Sequence, residues 1–163
     1  MTLSNIVLAV TATLMALIAG LFYAWSCSVI PGIGRLPDRE YLAAIQAMNR
    51  AILNPVFFLS FIGTALLLPC CSYLHYSQPA SASFWLLVAA TLIYIVGGFG
   101  LTMVGNVPLN NGLDAFSING ATPEALAAQR LKFEGPWNSL HTVRTIACIV
   151  SLVLVVIACI RKS

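Results

Sequence analysis

The segment Trp137-Asn138-Ser139-Leu140-His141-Thr142-Val143-Arg144 places an indole, an imidazole and a guanidinium at spacings of four and then three residues. On a helix that spacing puts all three on one face. The segment leads into an apolar run, and ionisable groups inside a membrane span are costly enough that they usually face a bundle interior or a wet cavity. Arginine and histidine on one inward face mark a place where a ligand or a proton is handled. The competing reading makes Trp137 a belt aromatic, Arg144 a side chain reaching for the headgroups and His141 an ordinary interfacial residue. Their joint occurrence on a single face favours function.

Asn49, Arg50 and Asn54 form a complementary polar set upstream, with Asn54 one turn after Arg50 and Asn49 beside that face. Helix-end hydrogen bonding to loop backbone is the plainer account of these residues, of Asn54 above all. Asn106, Asn110 and Asn111 are further candidates, or else turn residues, since asparagine tolerates left-handed conformations. His75 is expected on the opposite side of the membrane from His141, which argues against a haem held between the two; a haem with a single axial histidine is left open. No HExxH or His-rich spacing suggests a metal site. Cys70-Cys71 are adjacent rather than CxxC. Cys27, Cys148 and Cys159 lie in apolar surroundings, where cysteine packs as a small hydrophobe.

The elements that position these residues follow from composition. Of 163 residues, 60% are hydrophobic and 8% charged, against about 25% charged in an average soluble domain. Apolar runs cover about 6–30, 51–69, 84–105 and 140–160, each near the roughly 20 residues that a spanning helix needs. The alternation of barrel strands is absent. The expected fold is therefore all-α, an integral membrane four-helix bundle forming one domain over 1–163. The N-terminus lacks a basic n-region, so the first run reads as a retained span. A multi-pass location follows, in the cell membrane if the source is bacterial.

Four spans place the loops after the first and third on one side, and nearly every charge falls there; Arg161 and Lys162 are the exceptions. Asp114, Glu124, Arg130, Lys132 and Glu134 read as surface residues. Counting Lys and Arg by the positive-inside rule puts this face in the cytoplasm, whereas Arg161-Lys162 argues the opposite, so orientation stays open. A second helix is expected from Asp38, with Leu42, Ile45, Met48 and Ile52 at helical spacing, entering the bilayer near Arg50 with a kink at Pro55. Asn106-Val107-Pro108-Leu109 reads as extended or turn-like. The third loop, 106–136, is the longest. Thr122-Pro123-Glu124 should start a short interfacial helix there, ending at Gly135-Pro136 and covering the bundle mouth. The net charge of +3 is small and implies no nucleic-acid partner. The implied partners are the lipid bilayer and a lipophilic small molecule; a homo-oligomer is compatible with the sequence.

With these residues assembled, the chain resembles the anthrone-oxygenase-like family of small four-span membrane proteins. The resemblance rests on Pro31-Gly32-Ile33-Gly34-Arg35-Leu36-Pro37, on Met48-Asn49-Arg50-Ala51-Ile52-Leu53-Asn54-Pro55, on Asn106-Val107-Pro108-Leu109-Asn110 and on residues 137–144. Leu140-His141-Thr142 departs from the Asn/His-rich helix start expected of the family. What the resemblance implies is oxidation of a polycyclic phenolic anthrone to an anthraquinone by O2, with no required metal or organic cofactor. His141 would then be the general base, its ordinary pKa lying near neutrality. Arg50 or Arg144 would stabilise the oxyanion with asparagine amides as donors, and Trp25 and Trp137 would stack on the rings. Two other functions compete: a non-enzymatic protein that binds or transports a lipophilic molecule, and a structural subunit whose Arg50 and Arg144 lock helices together. A packed cluster with every polar atom satisfied favours the structural reading. A cavity flanked by tryptophan favours a ligand.

Overall fold

The computed structural model describes residues 2–161, so Lys162 lies outside the described residues. The described chain is helical throughout its ordered elements, without strands. Helix α1 runs Leu3–Ile33 and includes a π-helical turn at Trp25–Val29. Helix α2 is Asp38–Ala51 and α3 is Pro55–Leu74. Helix α4, Ala82–Asp114, contains π-helical stretches at Tyr94–Gly100 and Thr102–Asn106. Helix α5 is Pro123–Arg161. Four of these, α1, α3, α4 and α5, are long and apolar enough to cross a bilayer, which makes this a multi-pass, all-α membrane protein.

Local signals start the spans. Thr2, Asn54, Ser81 and Thr122 each accept a backbone N–H from three residues on, at 3.4, 3.0, 3.1 and 3.3 Å. These are donors that an uncapped helix start would leave orphaned in a poorly hydrated setting. At Asn54 the capping backbone is extended and Pro55 follows as the first helical residue. This is why α2 does not run on into the membrane: the chain breaks at 52–54, because a residue before proline is driven out of the helical region. Asn54→Ala should lower stability by about 1 kcal/mol while Asn54→Ser stays close to wild type. Thermal unfolding in detergent measures both.

Two other boundaries differ from expectation. Asn106-Val107-Pro108-Leu109 is helical, and α4 continues to Asp114. Helix α5 passes straight through Gly135-Pro136. Proline in a helix forfeits one backbone bond, here to the carbonyl of Lys132, but Pro136 and Lys132 both lie on the exposed face. Leu126, Phe133, Trp137, His141, Arg144 and Cys148 form one buried stripe across the break, and that packing carries the helix over it. The connection 106–136 thus shrinks to residues 115–122. At the mouth, α2 packs against the start of α5.

In the membrane-spanning part, Met15, Ile18 and Phe22 pack with Phe61, Leu68, Leu87, Tyr94, Cys148 and Val155. Helices α4 and α5 approach closely at Gly97 and Gly98, where a Cβ would stand 2.7 Å from that of Ala147 and 3.0 Å from Cys148 Sγ. Small residues permit such approach, which matters where lipid supplies no hydrophobic drive between helices.

Over the mouth, Tyr41, Leu42 and Ile45 of α2 pack on Leu113, Leu126, Phe133 and Trp137. Arg130, expected at the surface, is the clasp. It donates to Glu134 at 2.7 Å, to Asp38 at 3.0 Å and to the Leu36 and Gly34 carbonyls at 2.8 and 2.7 Å. Its guanidinium also lies 4.3 Å from the Tyr41 ring centre. Burial, with Glu134 adding to it against Arg130, pushes the Tyr41 phenol above its ordinary range, so it stays neutral. Gln46 ties α2 to the Leu113 and Phe116 carbonyls at 2.8 and 2.9 Å.

Candidate functional site

Helix α5 presents Trp137, His141, Arg144 and Thr145 to the bundle interior, and α4 and α1 hold them from either side. Trp137 lies flat on His141, with centroids 5.0 Å apart and planes 6° from parallel. Its indole N–H donates to Asn110 Oδ1 at 2.8 Å, and its carbonyl accepts from Asn106 Nδ2 at 3.4 Å. Asn106 and Asn110 sit one helical turn apart on α4. They clamp Trp137 because the stretch expected to be a turn is helical.

His141 is 1% exposed. Its Nδ1 accepts from Arg144 Nε at 3.1 Å and Nη2 at 3.0 Å. A guanidinium can only donate, so the network assigns the lone pair to Nδ1 and the proton to Nε2. Nε2 faces the Phe22 carbonyl at 3.2 Å, Ser26 Oγ at 3.0 Å and Thr145 Oγ1 at 3.3 Å. Ser26 belongs to the π-helical turn of α1, a feature often found at functional sites.

Arg144 is 8% exposed. Ion pairs among the described residues join Arg50 to Asp114 and Arg130 to Asp38 and Glu134, so none involves Arg144. Its charge rests on aromatic faces: the guanidinium carbon is 4.4 Å from the Phe22 ring centre and 5.1 Å from that of Trp137. Nη1 adds a contact of 3.4 Å to Thr102 Oγ1.

Arg144 lines a chamber of about 50 Å³ walled by Leu21, Phe22, Trp25, Ile52, Phe57 and Trp137, with Asn49 and Asn110. Asn49 and Asn110 also border an outer space of about 150 Å³ whose rim carries Arg50 and Asp114. Those two residues in turn border a surface trough of about 490 Å³ alongside Gln46 and Phe116. Neighbouring spaces thus share lining residues, Asn49 and Asn110 between the inner two and Arg50 and Asp114 between the outer two. Among the described residues, the buried side-chain atoms Asn49 Nδ2 and Asn106 Oδ1 have no hydrogen-bond partner within the protein. Such a chamber, flanked by tryptophan and bordered by an unsatisfied amide, differs from a packed cluster in which every polar atom is satisfied.

A family model for anthrone oxygenase matches residues 57–154. That stretch is more than half of the chain and contains Asn106, Asn110, Trp137, His141 and Arg144. The chain belongs to the anthrone oxygenase family. No curated protein and no solved structure matches it. The matched stretch of this anthrone oxygenase family member starts after Trp25, Asn49, Arg50 and Asn54, so their part in the site rests on geometry alone.

The geometry separates the candidates. Trp25, half-buried, stands 5.7 Å from Trp137 and joins Asn49, Asn110, Trp137 and Arg144 around the chamber. Arg50 does not reach His141. Its side chain is 64% exposed and donates to Asp114 Oδ1 at 2.6 Å, because α2 ends one residue later and leaves it at the mouth. Asn54 is occupied as a cap, with Nδ2 on the Ala51 carbonyl at 2.8 Å. Asn111 is exposed beside the outer space. Sequence reasoning missed Phe22, Ser26, Phe57, Thr102 and Thr145. Thr145 was within reach, since it follows His141 by one turn on the same face. Nothing local marks the others out from lipid-facing neighbours.

Proposed function

We propose that the protein is a membrane-embedded oxygenase acting on a lipophilic, polycyclic phenolic substrate of anthrone type with O2, without a required cofactor. The observation that supports this most is the chamber itself, in which Arg144, hydrogen-bonded to His141, meets the rings of Phe22, Trp25, Phe57 and Trp137. At about 50 Å³ it is far below the roughly 300 Å³ of a typical ligand pocket. The oxygen-bearing ring of the substrate therefore enters between these aromatic walls, which part to admit it, and the remaining rings extend toward the outer space.

The reaction needs an anion, a base and a route for one electron to O2. When Arg144 turns to a substrate oxyanion it releases His141 Nδ1, whose lone pair then takes a proton from the reacting ring methylene. Base and anion stabiliser are thereby coupled. The electron-rich carbanion passes an electron to O2, and the two radicals combine to a peroxide. The proton on Nδ1 returns to that peroxide. Loss of water from the hydroperoxide leaves the new carbonyl, so anthrone and O2 give anthraquinone and water.

The purified protein in neutral detergent should consume O2 with 1,8-dihydroxyanthrone in equimolar amounts, well above the spontaneous rate. His141→Asn should cut that enzymatic rate by about 100-fold or more. Uptake no faster than in protein-free detergent would reject the oxygenase reading.

A further inference from the structure

We propose that the Arg144 chamber takes its ligand as a monoanion: a flat aromatic acid or phenol, ionised on arrival, whose single charged oxygen lies between the Arg144 guanidinium and the Asn49 carboxamide. The proposal rests on reading the chamber as the ligand site and is independent of the oxygen chemistry. It starts from a missing charge. Arg144 is buried in a membrane-spanning helix, and none of the ion pairs among the described residues reaches it. A buried cation without an anionic partner is costly, and intramembrane charges characteristically face a counter-ion or a ligand. Here the protein supplies aromatic faces and one imidazole nitrogen, neither of them anionic.

Donors predominate among the polar groups around the chamber. Arginine only donates. Asn49 Nδ2 is a buried donor with no acceptor, and Asn49 lines the chamber. Asn110 lines it too, and its Oδ1 is already taken by the Trp137 indole, which leaves the amide's donor end. The unpartnered acceptor, Asn106 Oδ1, belongs to a side chain outside the chamber wall. Arg144 and the free amide donors of Asn49 and Asn110 suit an acceptor, and the positive charge of Arg144 selects an anionic one. A single guanidinium and about 50 Å³ suit one carboxylate or phenolate oxygen rather than a phosphate dianion. Four aromatic walls, Phe22, Trp25, Phe57 and Trp137, suit a ring system over an alkyl chain.

Of the three tryptophans in the chain, Trp25 and Trp137 line the chamber and Trp85 is exposed. A Trp85→Phe protein therefore reports from the site alone. Titration with 9-anthroate and with its methyl ester, following energy transfer from tryptophan in neutral detergent, should show saturable binding of the acid at least about tenfold tighter, a difference of about 1.4 kcal/mol. Arg144→Gln should erase the preference. Asn49→Asp supplies the missing carboxylate from within the protein and should both raise the melting temperature and abolish anthroate binding, a result that does not depend on Arg144→Gln folding. Equal affinity for acid and ester, or a preference that survives Arg144→Gln, overturns the proposal. Laurate displacing anthroate with equal affinity would also overturn it, by assigning the site to the fatty acids of the bilayer. If anthroate binds as stated while no O2 is consumed, catalysis fails and this inference stands.

Discussion

Replacing Arg144 by methionine is expected to slow turnover sharply and raise the melting temperature in the same protein. Among the described residues no carboxylate pairs with the buried guanidinium, so removing its charge lifts a desolvation penalty that no ion pair there offsets. Exchanging buried ionic groups for apolar ones of similar volume is often neutral or stabilising by about 1 to 4 kcal/mol. Methionine keeps a polarisable contact with the Phe22 and Trp137 rings that now hold the cation, and His141 Nδ1 loses its two donors, which moderates the gain. The rate should fall by about 100- to 1,000-fold, the cost of losing one preorganised oxyanion donor. Oxygen uptake with 1,8-dihydroxyanthrone and thermal unfolding in the same detergent measure the two sides. If Arg144→Met instead lowers the melting temperature by several degrees, Arg144 is a helix lock, and the structural-subunit reading gains what the enzyme reading loses.

The second large effect lies in the membrane, a few turns from the site. Gly97→Val puts side-chain atoms where even a Cβ would stand 2.7 Å from Ala147 Cβ, so α4 must move away from α5. Overpacking a fitted interface costs about 1 to 3 kcal/mol. Its reach is longer than its energy suggests, because Thr102, Asn106 and Asn110 ride on α4 while Arg144 and Trp137 ride on α5. Separating the helices breaks the clamp on Trp137 and should depress activity with stability. Ala147→Gly in the same chain should restore much of both, and the double-mutant cycle isolates the coupling. Gly20→Ala, whose Cβ meets nothing within 4 Å, should leave the melting temperature nearly unchanged. A Gly97→Val protein as stable as wild type would mean that the helices do not meet here.

Different parts of this molecule were legible to different degrees, for reasons visible in single residues. The Thr122-Pro123-Glu124 start of α5 was readable because it uses groups three residues apart, whereas the equally local cap at Asn54 reads in the sequence as a kink within a continuous helix. Gly135-Pro136 misled because breakers state a local preference. The buried stripe of Phe133, Trp137 and His141 overrides it, at the cost of one backbone bond on an exposed face. The same override keeps Pro108 helical and turns an apparent 31-residue loop, 106–136, into the short connection 115–122. At the expected helix over the mouth, Tyr41, Leu42 and Ile45 of α2 pack on Leu126 and Phe133, and Arg130 ties the two segments together.

Composition and periodicity determined the class, the spans and the shared face of Trp137, His141 and Arg144, since each depends on hydropathy or on helical spacing within one segment. Only the tertiary structure decided which arginine is buried. Arg50 and Arg144 are alike in sequence, yet one pairs with Asp114 at the rim and the other faces His141 and aromatic rings without a counter-ion. The difference arises from where α2 stops and how α1, α4 and α5 converge. Desolvation and the absence of an anionic partner are properties of that convergence, and no single segment of the chain contains them.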